Sequence, residues 1–259
     1  MTGTQTRLAL LAYQTAQGLP LTGSFDTATA GKLKIQTPVF TQRRLSQQDF
    51  LQVGLKPHSW RARRELDRMR YNSILEMVAE QAQTDPDFIA SLNPHIDWSQ
   101  LNEGAEIRIP RLPPFRIHQP AAYTQIQLSK RTLQVFSAEN RLLFHCPVSI
   151  ARRVDKRPSG ELRVKVLVNA PNYTFNPAIL SGTARREGIT QKFIIQPGPN
   201  NPVGSAWIGL NLPSYGIHGT PEPEKVGRSE SSGCFRLANW NAHTLLDAAW
   251  VNMPIHIQP

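Results

Sequence analysis

Leu8, Leu11, Ala12 and Thr15 fall at helical spacing and Gly18 supplies a stop, which predicts a helix near the amino terminus. The turn Leu21-Thr22-Gly23-Ser24-Phe25-Asp26 precedes a second short helix, capped by Asp26 or Thr27. Residues 38–70 lose this periodicity. They are polar, with five arginines between Arg61 and Arg70, as expected of a solvated helix or linker. Periodicity returns with Ile74, Leu75, Val78 and Ala82, then with Phe88, Ile89 and Leu92 behind a cap at Thr84 or Asp85. Asn93-Pro94 ends that helix, and Ile107-Arg108-Ile109 alternates like an edge strand. Arg111 to Pro120 is proline-rich and reads as a linker.

From Tyr123 the period shortens to two. Residues 125–128, 133–136, 142–150 and 162–168 predict strands, with Gly and Pro punctuating at Pro158-Ser159-Gly160 and from Pro197 to Gly204. Such spacing favours a β-sandwich or barrel. One helix follows, with Asn239 as its expected cap and Ala242, Leu245, Leu246, Ala249 and Trp250 as its apolar face. The expected organisation is a helical segment (1–37), a basic linker (38–70), a small α+β module (71–112), a proline-rich linker (113–122) and a mainly β domain (123–259).

Composition narrows the class. Hydrophobic residues make up 40% and charged residues 19%, enough apolar material for a sizeable core. No apolar run is long enough to span a bilayer as a helix. Lys plus Arg is 29 against 19 Asp plus Glu, a formal charge of +10. That favours a polyanion without choosing among nucleic acid, anionic lipid and cell wall. The absence of an aromatic-basic stacking motif argues against nucleic acid. Two cysteines, Cys146 and Cys234, exclude a disulfide-stapled scaffold and a Cys-rich zinc module.

Chemistry concentrates in Tyr215-Gly216-Ile217-His218-Gly219-Thr220 and Ser231-Ser232-Gly233-Cys234-Phe235-Arg236-Leu237. A thiol is a poor nucleophile until a base or cation helps remove its proton, and His218 is a candidate base. Gly233 permits a tight turn that presents Cys234 and frees backbone N–H groups for an oxyanion. The competing reading treats each residue as structural. A lone Cys is commonly a buried small hydrophobe, the role expected of Cys146, and a Cys146–Cys234 disulfide is a further alternative. His58, His95, His118, His145, His243 and His256 are expected to be structural. No ligand spacing suggests a metal.

The carboxy-terminal half resembles the L,D-transpeptidase (YkuD) catalytic domain of bacterial peptidoglycan metabolism over about Tyr123 to Ile257. The resemblance rests on Arg157-Pro158-Ser159-Gly160, Pro197-Gly198-Pro199-Asn200-Asn201-Pro202-Val203-Gly204, Gly216-Ile217-His218-Gly219-Thr220, and above all Ser231 to Asn239. It implies a YkuD-type β-sandwich or barrel with a carboxy-terminal helix. It also implies Cys234 as nucleophile, His218 as base, and the Gly219 carbonyl as acceptor for the other imidazole N–H. Gly233 and Cys234 would supply the oxyanion hole, and Arg236, Ser231, Ser232, Tyr215 and Asn201 would meet substrate. One departure stands out: the family signature has His where this chain has Ser232, so a catalytically impaired peptidoglycan-binding protein is the alternative reading.

Residues 5–35 resemble part of a peptidoglycan-binding helical domain, and 71–111 resemble a LysM module that recognises glycan strands. The resemblance implies attack on the bond joining the third stem residue to D-alanine, then transfer from a thioester to a stem amine, giving a 3→3 cross-link. Water as acceptor would make an L,D-carboxypeptidase, and a lysine of an outer-membrane lipoprotein would make an anchoring transferase. No metal or organic cofactor is implied. The expected location is the periplasm or cell envelope, with a signal peptide already removed.

Overall fold

The computed structural model describes residues 3–35, 37–55, 57–113, 115–231 and 233–259. Helix α1 (Thr4–Gln17) stops where Gly18 takes a left-handed φ of 62°, cheap for glycine. Helix α2 (Thr27–Leu33) starts at Asp26, whose carboxylate accepts from the Thr29 N–H at 2.8 Å. Gln14, the polar residue inside the apolar run of α1, is fully buried. Its amide bridges Thr22, Gly23, Ser24 and Thr29 and ties the two helices together.

Strand β1 (Phe40–Arg44) is followed by α3 (Gln47–Leu51), α4 (Trp60–Arg64), α5 (Ile74–Gln81), α6 (Pro86–Leu92) and β2 (Glu106–Pro110). β1 and β2 pair antiparallel, from Phe40 opposite Pro110 to Arg44 opposite Glu106. α5 and α6 close over them on Leu45, Ile74, Met77, Val78, Ile89 and Ile107. Asp85 caps α6, one of the two caps expected there, and Ser73 caps α5. The boundary departs from the sequence expectation. The module takes its first strand from the stretch read as linker, because β1 is a half-exposed ribbon strand with no apolar alternation to reveal it. Nor is α4 merely solvated, since the N–H groups of Trp60 and Arg61 donate to the Glu187 carboxylate far along the chain.

The rest of the chain builds one mixed sheet. Its strands are β3 (Tyr123–Gln127), β4 (Thr132–Phe136), β5 (Leu142–Pro147), β6 (Gly160–Asn169), β9 (Ala206–Leu210), β10 (Gly216–His218), β11 (Phe235–Arg236) and β12 (Pro254–Gln258). Between β6 and β9 come β7 (Tyr173–Phe175), α7 (Ser181–Glu187) and β8 (Phe193–Ile195), with β7 and β8 forming a separate antiparallel pair. The main order is β11-β10-β9-β6-β12-β3-β4-β5. Just past β5, Ser149 exchanges both backbone hydrogen bonds with Arg236 at 2.9 and 3.0 Å. The two ends of the sheet therefore meet, and the sheet is curled.

The expected mainly β catalytic domain with a carboxy-terminal helix is what the chain forms. Helix α8 (Asn239–Ala248) buries Ala242 and Leu245 against the core of Ile126, Val135, Val164, Ile208, Ile217 and Phe235. Two details differ from expectation. Ala238, not Asn239, occupies the N-cap position. Trp250 lies past the helix, about half exposed, and donates its indole N–H to the Ala121 carbonyl at 2.9 Å.

Candidate active site

A cavity of about 1030 Å³ opens beside β10 and the Cys234 loop. Its lining brings together Tyr215 and His218 from one motif of the sequence with Ser231, Gly233, Cys234 and Arg236 from the next. Parallel pairing of Ile217 with Phe235 and of His218 with Arg236 explains the meeting, because β10 and β11 run side by side with Cys234 immediately before β11. His218 is buried and Cys234 is half-buried.

The imidazole is held on two sides. Its Nδ1 lies 2.6 Å from the Gly219 carbonyl oxygen, which can only accept, so that nitrogen carries the proton and Nε2 is left as the basic site. The Trp207 ring stacks on it at 5.5 Å between centroids and 23° between planes. Burial pushes the His218 pKa down to about 4, and the Arg236 charge adds to that, while the carbonyls of Gly219 and Val203 oppose it. Burial likewise pushes the Cys234 thiol up, opposed by backbone hydrogen bonding from Gly216 and by Arg236. Both shifts favour the uncharged forms, a thiol and a neutral imidazole.

The thiol donates to the Ser214 carbonyl at 3.4 Å. Ser214 has φ of 63°, an uncommon setting for a non-glycine residue, and its carbonyl faces the Cys234 thiol. Ser231 is buried and braces the loop: its hydroxyl donates to the Cys234 carbonyl at 2.5 Å and accepts from the Gly233 N–H at 3.2 Å. Tyr215 donates its hydroxyl to the Lys156 carbonyl at 2.9 Å on the rim.

Asn201 requires a correction. Expected to contact substrate, it is instead fully buried and absent from the cavity wall. Its amide donates to the Gln196 carbonyl at 2.9 Å, and its oxygen accepts from the Val203 N–H at 3.0 Å, which sets the shape of the loop beside His218. Ser232 lies outside the described residues. The disulfide alternative fails, since both cysteines are free and Cys146 is buried on β5. Among the described residues no cluster of His, Cys, Asp and Glu is arranged to hold a metal ion. No helix among them is long and apolar enough to cross a membrane.

Sequence reasoning missed the aromatic side of the cavity. Trp207, Tyr173 and Trp60 all line it. A signal existed for Trp207: it alternates on a strand facing Gly216, where a Cβ would lie 2.6 Å from the indole. Nothing comparable marks Trp60, which reaches the wall from α4 by packing on Phe175 with centroids 4.9 Å apart.

Comparison with known proteins places the chain among L,D-transpeptidase relatives by sequence. A Bacillus licheniformis protein, provisionally named L,D-transpeptidase YkuD, is 29% identical over 177 residues, covering 66% of this chain and 86% of its own length. A Fuscovulum blasticum protein, provisionally named an L,D-transpeptidase in the ATP synthase subunits region, is 49% identical over 111 residues, covering 42% of this chain and 54% of its own. The solved L,D-transpeptidase from Mycobacterium smegmatis is 17% identical with a TM-score of 0.39, covering 68% of this chain and 86% of that one, and none of the chemistry above rests on it. The family model of the L,D-transpeptidase catalytic domain, YkuD, matches residues 121–257, more than half of the sequence, and the chain belongs to that family.

Proposed function

We propose that this chain is a cysteine L,D-transpeptidase acting on peptidoglycan stem peptides. The observation that carries the reading is the shared cavity of Cys234, His218 and Arg236, with His218 Nδ1 engaged by Gly219. Sγ attacks the carbonyl joining the third stem residue to D-alanine as the thiol proton passes to His218. The C–S bond forms, the C–N bond breaks, and D-alanine leaves with the proton from His218. A stem amine then attacks the thioester, gives its proton to His218, and the thiol is restored. The N–H of Cys234 meets the oxyanion, joined by that of Gly233 once it leaves the Ser231 hydroxyl. Arg236 binds a stem carboxylate.

The amino-terminal half fits a supporting role at the wall. The β1-α5-α6-β2 unit is proposed as a glycan-binding LysM-like module and α1 with α2 as a partial peptidoglycan-binding segment, in a protein working in the cell envelope. Incubation with purified tetrapeptide muropeptides tests the reading. Loss of D-alanine and a new cross-linked dimer by mass support it, while hydrolysis alone makes the enzyme a carboxypeptidase. An unchanged substrate pool, with no acylation of Cys234 by a carbapenem, sinks it.

A further inference from the structure

A second cavity, of about 710 Å³, lies between the amino-terminal module and the catalytic domain, with Tyr71, Glu80, Gly198, Asn239 and His243 in its wall. Glu80 stands on α5. A carboxylate on such a surface is ordinarily solvated, yet this one is mostly buried, which pushes its pKa up to about 7 against the help of its two donors. One oxygen accepts from the Tyr71 hydroxyl at 3.0 Å, and the other from Nδ2 of Asn239 at 2.9 Å, an element far along the chain.

Asn239 sits five residues beyond Cys234 but faces away from the chemistry described so far. Its Nδ2 also donates to the Pro199 carbonyl at 3.3 Å, and its Oδ1 accepts from the N–H groups of Ser205 and Thr220, both at 3.1 Å. The Thr220 N–H belongs to the same planar peptide unit as the Gly219 carbonyl, the group that accepts from His218. Gripping one end of that plane fixes the other. The packing is tight enough that a Cβ on Gly219 would lie 2.1 Å from Asn239 Oδ1, and one on Gly204 would lie 2.2 Å from it. The carboxamide therefore has one usable orientation, and Glu80 supplies the acceptor for its amino group at 2.9 Å.

We propose that Glu80 is a positioning residue for His218, holding through Asn239 the Gly219–Thr220 peptide whose carbonyl orients the imidazole. This rests on the Cys234–His218 reading above. It makes the amino-terminal module part of the catalytic apparatus in addition to any role in wall attachment. A purely structural role is the competing account, because Met69 and Arg70 already join the module to the loop at Pro197 and Asn200 by backbone hydrogen bonds of 2.9 and 3.1 Å and by a bond of 2.8 Å from Asn200 Nδ2.

The test is the acylation of Cys234 in the full chain by a carbapenem, resolved into a maximal rate and a half-saturating concentration. Glu80→Ala is expected to lower the maximal rate about tenfold with the half-saturating concentration unchanged, since misorientation of a base costs rate and not ground-state binding. Glu80→Gln, which can turn its amide oxygen toward Asn239, should recover to within about threefold. On an Asn239→Ala background the Glu80→Ala effect should vanish, as expected if one acts through the other. Glu80→Met, similar in size but without an acceptor, carries the same expectation should the alanine variant not fold. Wild-type rates in both acceptor-free variants, an equal loss on the Asn239→Ala background, or a shift confined to the half-saturating concentration would overturn the proposal. Failure of the underlying reading looks different: the unaltered protein would not be acylated, or Cys234→Ala would still be.

Discussion

The floor and the roof of the active-site cavity are built by opposite strategies. The floor carries Trp207, His218, Cys234 and Arg236 on or beside strands β9, β10 and β11, inside a sheet whose two ends meet and whose core includes Ile208, Ile217 and Phe235. The roof carries Tyr173 and Thr174 on the β7–β8 pair and Asn176, Ile179 and Leu180 on the loop that leads into the seven-residue helix α7. Its own core is Phe175, Ala184 and Ile189, with Ile179 69% exposed at the rim. The roof is completed from outside: Trp60 fills its core, the Glu187 carboxylate accepts from the N–H groups of Trp60 and Arg61 at 2.8 and 3.4 Å, and Arg61 donates to the Gly188 carbonyl at 2.6 Å. The Cys234–His218 side of the cavity sits where local opening is costly, and the opposite wall sits where it is cheap.

The largest expected effect breaks the floor. Cys234→Ala should remove acylation by at least about a thousandfold while leaving the melting temperature nearly unchanged, because it trims one atom from a half-buried loop. Rate measurement with a carbapenem beside thermal melting checks both halves. Retained acylation would move the nucleophile elsewhere.

Next comes the acid limb of the floor. His218 titrates at about 4 and the Cys234 thiol is pushed up, so neither changes protonation across the neutral range. The maximal acylation rate should therefore stay within about threefold between about pH 5.5 and 8, then fall roughly tenfold per pH unit below about pH 4 as the base is protonated. Stability follows the same sign. The pKa of His218 is lower folded than unfolded, so its contribution is present above the unfolded value and lost as pH falls from about 6.5 toward about 4. A rate that instead climbs tenfold per unit through neutrality would mean that a minor thiolate carries the reaction.

The floor and roof also differ in how far the sequence reveals them. Floor residues stand in long motifs, and the strand around His218 was readable from its flanking glycines. The roof strands are three residues each, too short for a period of two to register, and α7 reads Ser-Gly-Thr-Ala-Arg-Arg-Glu, with no apolar stripe. β1 hides for a related reason, as a ribbon strand among arginines. The expectation of a helix cap at Asn239 follows from a local rule, and that of a substrate contact at Asn201 from the family resemblance. Their actual partners lie on other elements, which a local pattern cannot report.

A third prediction sharpens the roof. Trp60→Ala removes a half-buried indole packed at a tilt against Phe175 and Tyr173, a cost of about 2 kcal/mol, below the usual range for fully buried aromatics. Because α4 touches the roof and not the reacting atoms, the loss should appear as a half-saturating concentration raised about tenfold with the maximal rate within about threefold. A fall in maximal rate alone would make the roof part of the chemistry.

The smallest effect is expected where the chain carries its other thiol. Cys146 is buried on β5 opposite Leu133 of β4, and burial pushes its pKa up, so it behaves as a small hydrophobe without nucleophilic character. Replacing it with alanine leaves a void of about one atom and should cost about 1 kcal/mol, lowering the melting temperature by about 2–4 °C. The rate of Cys234 acylation should not change, because no described residue of β5 lines the cavity. Alkylation of the native protein by iodoacetamide gives a second reading: one thiol should react in the wild type and in Cys146→Ala, and none in Cys234→Ala. Two reactive thiols in the folded protein would mean that the core around β5 opens far more readily than its packing allows.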